Sequence, residues 1–253
     1  MNRVLTLAAY NIRLLLSEKM WFILGWALFL VQMVIYGSLM GSLVNVPDYF
    51  FFYAIGLMVI AVFDGGSQVG RHLVENAHSG ELPYYLSLPI SRRGFLAALS
   101  IYGVVNTMLR ILPPLLVVLA VLGRLTVQGV VFAMIAMFLL GLGISGIMVS
   151  MSFIAFKSVD IYSALIAGLS ALFIRFSTIF YPLILMPNYY SPVSALNPLT
   201  YGADLTRWVL GYSSPGQVSD LLFAAVVVTA VAVGTLSLSA GIIDKVIEGV
   251  KAA

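Results

Sequence analysis

His72, Glu75 and His78 stand three residues apart, so on a helix two imidazoles and a carboxylate fall on adjoining positions, the donor types of a metal site. They share their segment with Arg71, Glu81, Arg92 and Arg93, and that company reads as a solvated polar face. Asp204 and Arg207, at i and i+3, can pair on one helical face and fix the segment that carries them. Arg110 and Arg175 lie inside apolar stretches, where an arginine costs about 2.5–3.5 kcal/mol on insertion scales. Either they snorkel toward head groups, or they line a path for anionic or amphipathic cargo. No Ser/His/Asp, paired-carboxylate or Cys/His constellation is present, and the absence of cysteine excludes thiolate metal sites. Without a Gly-x-x-x-x-Gly-Lys-Ser/Thr phosphate loop the chain is not expected to be an ATPase itself, or an enzyme of any kind.

The elements that must position these residues are membrane helices. The 253 residues are 61% hydrophobic and 9% charged, whereas a soluble domain carries about 25% charged residues. Six apolar segments, at about 21–43, 49–69, 95–122, 128–156, 161–182 and 217–241, each approach or exceed the roughly 20 residues a crossing needs. Residues 1–19 put Arg3, Tyr10 and Arg13 on one side and Leu5, Ile12 and Leu16 on the other, an amphipathic helix lying in the interface. The expected fold is therefore an all-α polytopic membrane protein forming a single transmembrane domain. Gly65-Gly66, after Asp64, read as a loosened inner end of the second span. The aromatic clusters at Tyr49 to Tyr53 and Tyr189-Tyr190 read as interfacial belts.

Charge orients the chain. With 1–19, 70–94, 157–160 and 242–253 on the cytoplasmic side, that side holds nine of the thirteen Lys and Arg, and the opposite side only Arg124 and Arg207. The positive-inside rule then puts both termini in the cytoplasm of a cell membrane. Arg110 and Arg175, each some 14–15 residues into its span, would sit roughly 21–23 Å from the cytoplasmic end, past the midplane. Pro113-Pro114 would kink the third span and free carbonyls for Arg110.

Phe180 to Gly211 is apolar enough to enter a bilayer, yet Pro182, Pro187, Pro192 and Pro198 interrupt it. Each proline removes a donor and clashes with the preceding turn, so one straight crossing is excluded. Irregular backbone at membrane depth survives only when protein or a water-filled cavity shields it. The expected form is a re-entrant hairpin over about 183–213, opening from the outer face, with a short helix on each arm. Asn197, before Pro198, is biased away from helix and would cap the arm that follows.

The other polar feature is 70–94, where Leu82, Tyr85 and Leu86 form an apolar stripe ahead of Pro89, Ser91 and Arg92. It reads either as a surface loop with stop-transfer arginines or as a short amphipathic helix that docks a cytoplasmic partner.

These two regions carry a resemblance. Gly80-Glu81-Leu82, Tyr85-Leu86 and Pro89-Ile90-Ser91-Arg92 are similar to the Gly-Thr-Leu-Glu, Leu-Leu, Thr-Pro-Val-Ser-Arg loop of type-2 ATP-binding cassette (ABC) permeases, with the family's acid position falling on Pro83 and the acid here at Glu81. Tyr181-Pro182-Leu183, Met186-Pro187, Leu196-Asn197-Pro198-Leu199-Thr200-Tyr201, Asp204, Arg207 and Leu210-Gly211 resemble the same family's C-terminal pattern. The resemblance implies a permease that pairs with a second permease copy and rests on ATP-hydrolysing subunits. Those subunits would bind the ATP and Mg, and this chain would need no cofactor. Glu81, Leu82, Tyr85, Leu86, Pro89, Ser91 and Arg92 would couple to them, Arg110 and Arg175 would face the path, and Pro182, Pro187, Asn197, Pro198, Tyr201, Asp204 and Arg207 would build the outer gate. The cargo would be an amphipathic small molecule or a lipid, with membrane lipids as neighbours and no nucleic-acid partner. The alternatives are a channel exporting a polysaccharide or other polymer, and a membrane scaffold that transports nothing.

Overall fold

The computed structural model describes residues 19–44, 46–87, 91–155, 158–212 and 220–251. The expected interfacial helix over 1–19 falls almost wholly outside them. Among the described residues the fold is all-α. In chain order the helices are α1 (Lys19–Leu43), α2 (Tyr49–His78), α3 (Glu81–Ser87), α4 (Arg92–Val121), α5 (Val127–Ile154), α6 (Val159–Arg175), α7 (Ser191–Ala195), α8 (Pro198–Val209) and α9 (Leu221–Lys251), with a 3₁₀ turn at Leu183–Leu185. Five of them, α1, α2, α4, α5 and α9, are long and apolar enough to cross a membrane. In a bilayer every backbone group must be satisfied within its own segment, and long apolar helices do that.

Local chemistry sets where the helices start. Ser91, Thr126 and Ser158 adopt extended backbone and accept hydrogen bonds from Gly94, Gly129 and Asp160 amides at 3.1, 3.1 and 3.2 Å. Asp48, ahead of α2, has φ 49° and makes no cap. Its carboxylate takes Arg124 Nη2 at 2.6 Å instead, joining the α1–α2 turn to the α4–α5 turn.

The centre of the molecule is α2, which packs against α1, α4, α5, α6 and α8, while α9 lies along α5. Between helices in lipid the drive is close packing rather than escape from water, so small residues mark the contacts. A Cβ on Gly65 would collide with Thr107, one on Gly103 with Val69, and one on Gly66 would lie 2.6 Å from Ile144. Gly65-Gly66 is thus where α2 closes on α4 and α5, and the expectation of a loosened helix end is overturned. The reason is steric: the missing side chains admit neighbouring helices.

Two expected boundaries move. The second span continues nine residues past 69 to His78, because Val69, Leu73 and Val74 keep an apolar stripe buried through the polar sequence. The fifth expected span, 161–182, is helical only as far as Arg175, a run of 17 residues. That is the lower end of the roughly 17–25 residues that cross a bilayer. Of α6 only Tyr162 is buried; its hydroxyl donates to the Ser67 carbonyl at 2.8 Å, and Arg71 donates to Ser163 Oγ at 3.1 Å.

Candidate functional site

Three places bring together the residues singled out above. The first is α3. Leu82 buries itself among Val69 and Leu73 of α2, Phe95, Leu96 and Leu99 of α4, and Val149 of α5. Tyr85 stacks on Phe95 with ring centroids 5.5 Å apart. Glu81 and Tyr84 face away, Tyr84 at 65% exposed. Gly80, at φ 76°, reverses the chain after α2 ahead of this seven-residue helix, and Ser91 caps α4. Arg92 opens α4, whereas Pro89 and the side chain of Leu86 lie outside the described residues. His72 Nδ1 meets Glu75 at 3.4 Å and His78 Nδ1 bonds the Val74 carbonyl at 3.0 Å, so the three groups do not converge on one point.

The second place is the proline-rich segment. Asn197 caps α8: its Oδ1 accepts from the Leu199 amide at 3.0 Å, and its Nδ2 donates to the Phe173 carbonyl at 2.6 Å. Pro198 supplies the first helical position, where a missing N–H costs nothing. Every residue from Pro198 to Arg207 is buried against α2, α5 and α9. Gly202 permits this, since a Cβ there would run into Leu140. The stretch before Asn197 holds no comparable helix. Pro182 precedes the 3₁₀ turn, Pro187 opens a turn closed by the Tyr190 amide at 2.8 Å, and α7 has five residues. The segment thus holds two helices, α7 and α8, while between Pro182 and Pro187 only the 3₁₀ turn forms, because the prolines interrupt the ladder.

Arg207 ties that segment to the core. Nη1 donates to the Thr178 carbonyl at 2.9 Å and to Asp204 Oδ1 at 3.3 Å; Nη2 donates to the carbonyls of Phe52 at 3.1 Å and Ile179 at 3.2 Å. Its guanidinium carbon lies 3.5 Å over the Phe52 ring. Asp204 also accepts from Thr178 Oγ1 at 3.1 Å. A Cβ on Gly56 would strike the Ile179 carbonyl, so residues 176–182 lie directly on the α2 backbone. The guanidinium is wholly shut off from solvent and its two terminal nitrogens go to backbone carbonyls and Asp204, so the pair acts as a clamp between α8 and α2. Tyr49, Phe51, Phe52 and Tyr53 are buried around it, which overturns their reading as an interfacial belt. Tyr49 donates to the Phe180 carbonyl at 2.9 Å, and Tyr201 to the Ala195 carbonyl at 2.6 Å.

The third place is a cavity of about 500 Å³ between α1, α2 and α4. Arg110 lines it, donating from Nε to Asn106 Oδ1 at 3.1 Å, with its guanidinium carbon 5.5 Å from the Phe22 ring centroid. The partner is a side chain one turn back rather than a carbonyl freed by Pro113-Pro114, and α4 runs unbroken through both prolines. Arg175 lines a different cavity, with Ile60, Ala171 and Phe180. The two arginines are not brought together in one cavity. Phe22 stands in the first turn of α1, which puts the Arg110 head near that end of the hairpin rather than beyond its middle.

Sequence reasoning passed over Asp64 and Gln68, which share the Arg110 cavity, and Thr178, which completes the clamp. Asp64 carried a signal: an acid inside an apolar span marks a site by default. Thr178 carried none. The chain matches no protein-family model, and no curated protein matches it. What it does must be argued from these three places.

Proposed function

We propose that this chain is the membrane-spanning permease subunit of a transporter driven by a separate ATP-hydrolysing subunit, of the type-2 ABC kind, moving an amphipathic small molecule or lipid outward. The observation that carries the proposal is the seating of α3. It is rigidly packed by Leu82 and Tyr85 onto the ends of α2, α4 and α5 while offering Glu81 and Tyr84 outward. A docked partner that pushes such an element moves three membrane helices together.

The remaining architecture accords with that role. α6 serves as a short fifth crossing, giving six spans with α1, α2, α4, α5 and α9, and both termini lie in the cytoplasm. Residues 176–212 form a re-entrant lid on the outer side, held closed on α2 by Arg207. The chain works with a second permease copy, and ATP and Mg are bound by the partner subunit. The carboxylate of Asp204 and the guanidinium of Arg207 hold the lid rather than the cargo.

The test is reconstitution. The chain purified from its own membrane and returned to liposomes should bring an ATPase whose turnover rises in its presence and rises again with amphipathic cargo. A stably folded chain with no such partner, or with an ATPase indifferent to it, would sink the transport reading and leave the scaffold.

A further inference from the structure

We infer that the cavity between α1, α2 and α4 binds a zwitterion that carries an ammonium and a phosphate, as the head group of an ethanolamine phospholipid does. The inference that such a ligand is cargo rests on the transport reading above; the binding site itself does not.

Register comes first. Gly65 abuts Thr107 and Val69 abuts Gly103, so α2 and α4 run antiparallel in close contact. On α2 the polar residues Asp64, Gln68 and His72 recur every fourth position, and on α4 so do Tyr102, Asn106 and Arg110. Residues four apart share a helix face, and both ladders line the same cavity. Two polar ladders facing one space inside apolar helices are costly in lipid unless something satisfies them.

The charges say what would satisfy them. Among the described residues the Asp64 carboxylate has no hydrogen bond or ion-pair partner; only its backbone carbonyl is engaged, by Ser67 at 2.7 Å. Arg110 uses Nε on Asn106, leaving its two terminal nitrogens as a planar fork suited to phosphate oxygens. A carboxylate accepts the N–H donors of a primary ammonium. One acidic and one basic group, both unspent and not paired with each other, call for a ligand of both signs. Trp26 adds a buried indole N–H without a partner on the α1 wall.

Depth says which zwitterion. Gly37 of α1 meets Phe50 of α2, so α1 and α2 form an antiparallel hairpin. From Tyr49 to Gln68 α2 rises about 30 Å, the hydrocarbon thickness of a bilayer. By the same rise Asp64 and Arg110 lie about 6–9 Å inside the boundary nearer α3, close enough for a head group drawn inward from that boundary to reach them. The third wall, with Phe22 and Trp26, belongs to α1, whose Ile23, Leu24 and Leu28 are exposed and would face lipid chains. A head group can enter while its acyl chains stay along α1.

Native mass spectrometry of the purified chain, given equal phosphatidylethanolamine and phosphatidylglycerol, tests this without any ATPase. The wild type should retain phosphatidylethanolamine about tenfold better, a difference worth about 1.4 kcal/mol. Asp64→Asn should erase the preference while still holding phosphatidylglycerol through Arg110, and Arg110→Gln should weaken retention of both. Because the readout for Asp64→Asn is a ratio within one sample, partial loss of folding does not imitate it. Displacement by soluble phosphoethanolamine supports the pairing of charges and assigns it to the free zwitterion. Equal retention by the wild type, or an Asp64→Asn variant that keeps the preference, overturns the site. Intact selectivity with a partner ATPase indifferent to phosphatidylethanolamine overturns the cargo role and keeps the site.

Discussion

Arg207 and Asp204 lie 3.3 Å apart at 0% and 1% exposure, and the same guanidinium holds the carbonyls of Phe52, Thr178 and Ile179. One side chain therefore joins α8, the irregular segment at Thr178 and Ile179, and the first turn of α2. Desolvating two charges is expensive, and the pair persists because each also hydrogen-bonds to neighbouring groups.

Removing one partner strands the other. Asp204→Asn should destabilise the protein by about 3–5 kcal/mol, seen as a lowered melting temperature in detergent. Asp204→Leu with Arg207→Met should fall between the wild type and the single variants, since three carbonyls lose their donor but no charge is left buried. An unchanged melting temperature for Asp204→Asn would show that the pair does not hold α8 to α2.

The glycine contact between α2 and α4 is open to a compensation experiment. Gly65→Ala places a methyl against Thr107 Oγ1, which is already committed to the Gly103 carbonyl at 2.9 Å. Overpacking of this kind costs about 1–3 kcal/mol. Thr107→Ala removes the obstacle, so the double variant should melt above Gly65→Ala alone. Additive losses would contradict the close approach of the two helices.

α6 is held at its first turn, by Tyr162 on the Ser67 carbonyl and Arg71 on Ser163. Tyr162→Phe keeps the ring and removes the hydrogen bond, costing about 0.5–1.5 kcal/mol. The loss should be local. Hydrogen exchange should accelerate at residues 159–163 while α5 stays protected, and uniform acceleration would show that α6 is fixed elsewhere.

How much of this could be read from the chain depended on whether a signal was local. Five of the six expected spanning segments were legible as long apolar helices, because length and apolarity are properties of a run of residues. Asn197 as a cap was legible because Asn before Pro is a local rule, and the Asp204–Arg207 pair because i,i+3 spacing is too. The end of α2 was not: Arg71, His72 and Glu75 look like a loop, and only the buried stripe Val69, Leu73, Val74 shows the helix continuing. Nothing in the sequence pairs Thr178 with Asp204, 26 residues away, or Phe52 with Arg207, 155 away. Nor does the sequence set Arg110 beside Phe22 of α1, because a count along the span from residue 95 carries no information on the register of a neighbouring helix.

Leu82 and Tyr84 separate the packing of α3 from its outward face. Leu82→Ala empties a buried position shared by α2, α4 and α5, so it should lower the melting temperature by an amount corresponding to about 2–5 kcal/mol and loosen α3. Tyr84→Glu alters a side chain 65% exposed and should leave the melting temperature within about a degree, because surface changes are usually within ±0.5 kcal/mol. The two variants diverge in the reconstituted complex. If α3 is the docking element, Tyr84→Glu should reduce stimulation of the partner ATPase about tenfold despite normal stability, because it sets a charge where the partner must pack. Leu82→Ala should keep the partner bound but uncouple its turnover from cargo, since a loosened α3 no longer moves α2 and α4. If Tyr84→Glu couples as well as the wild type, the partner docks elsewhere and α3 is only a turn between two long helices.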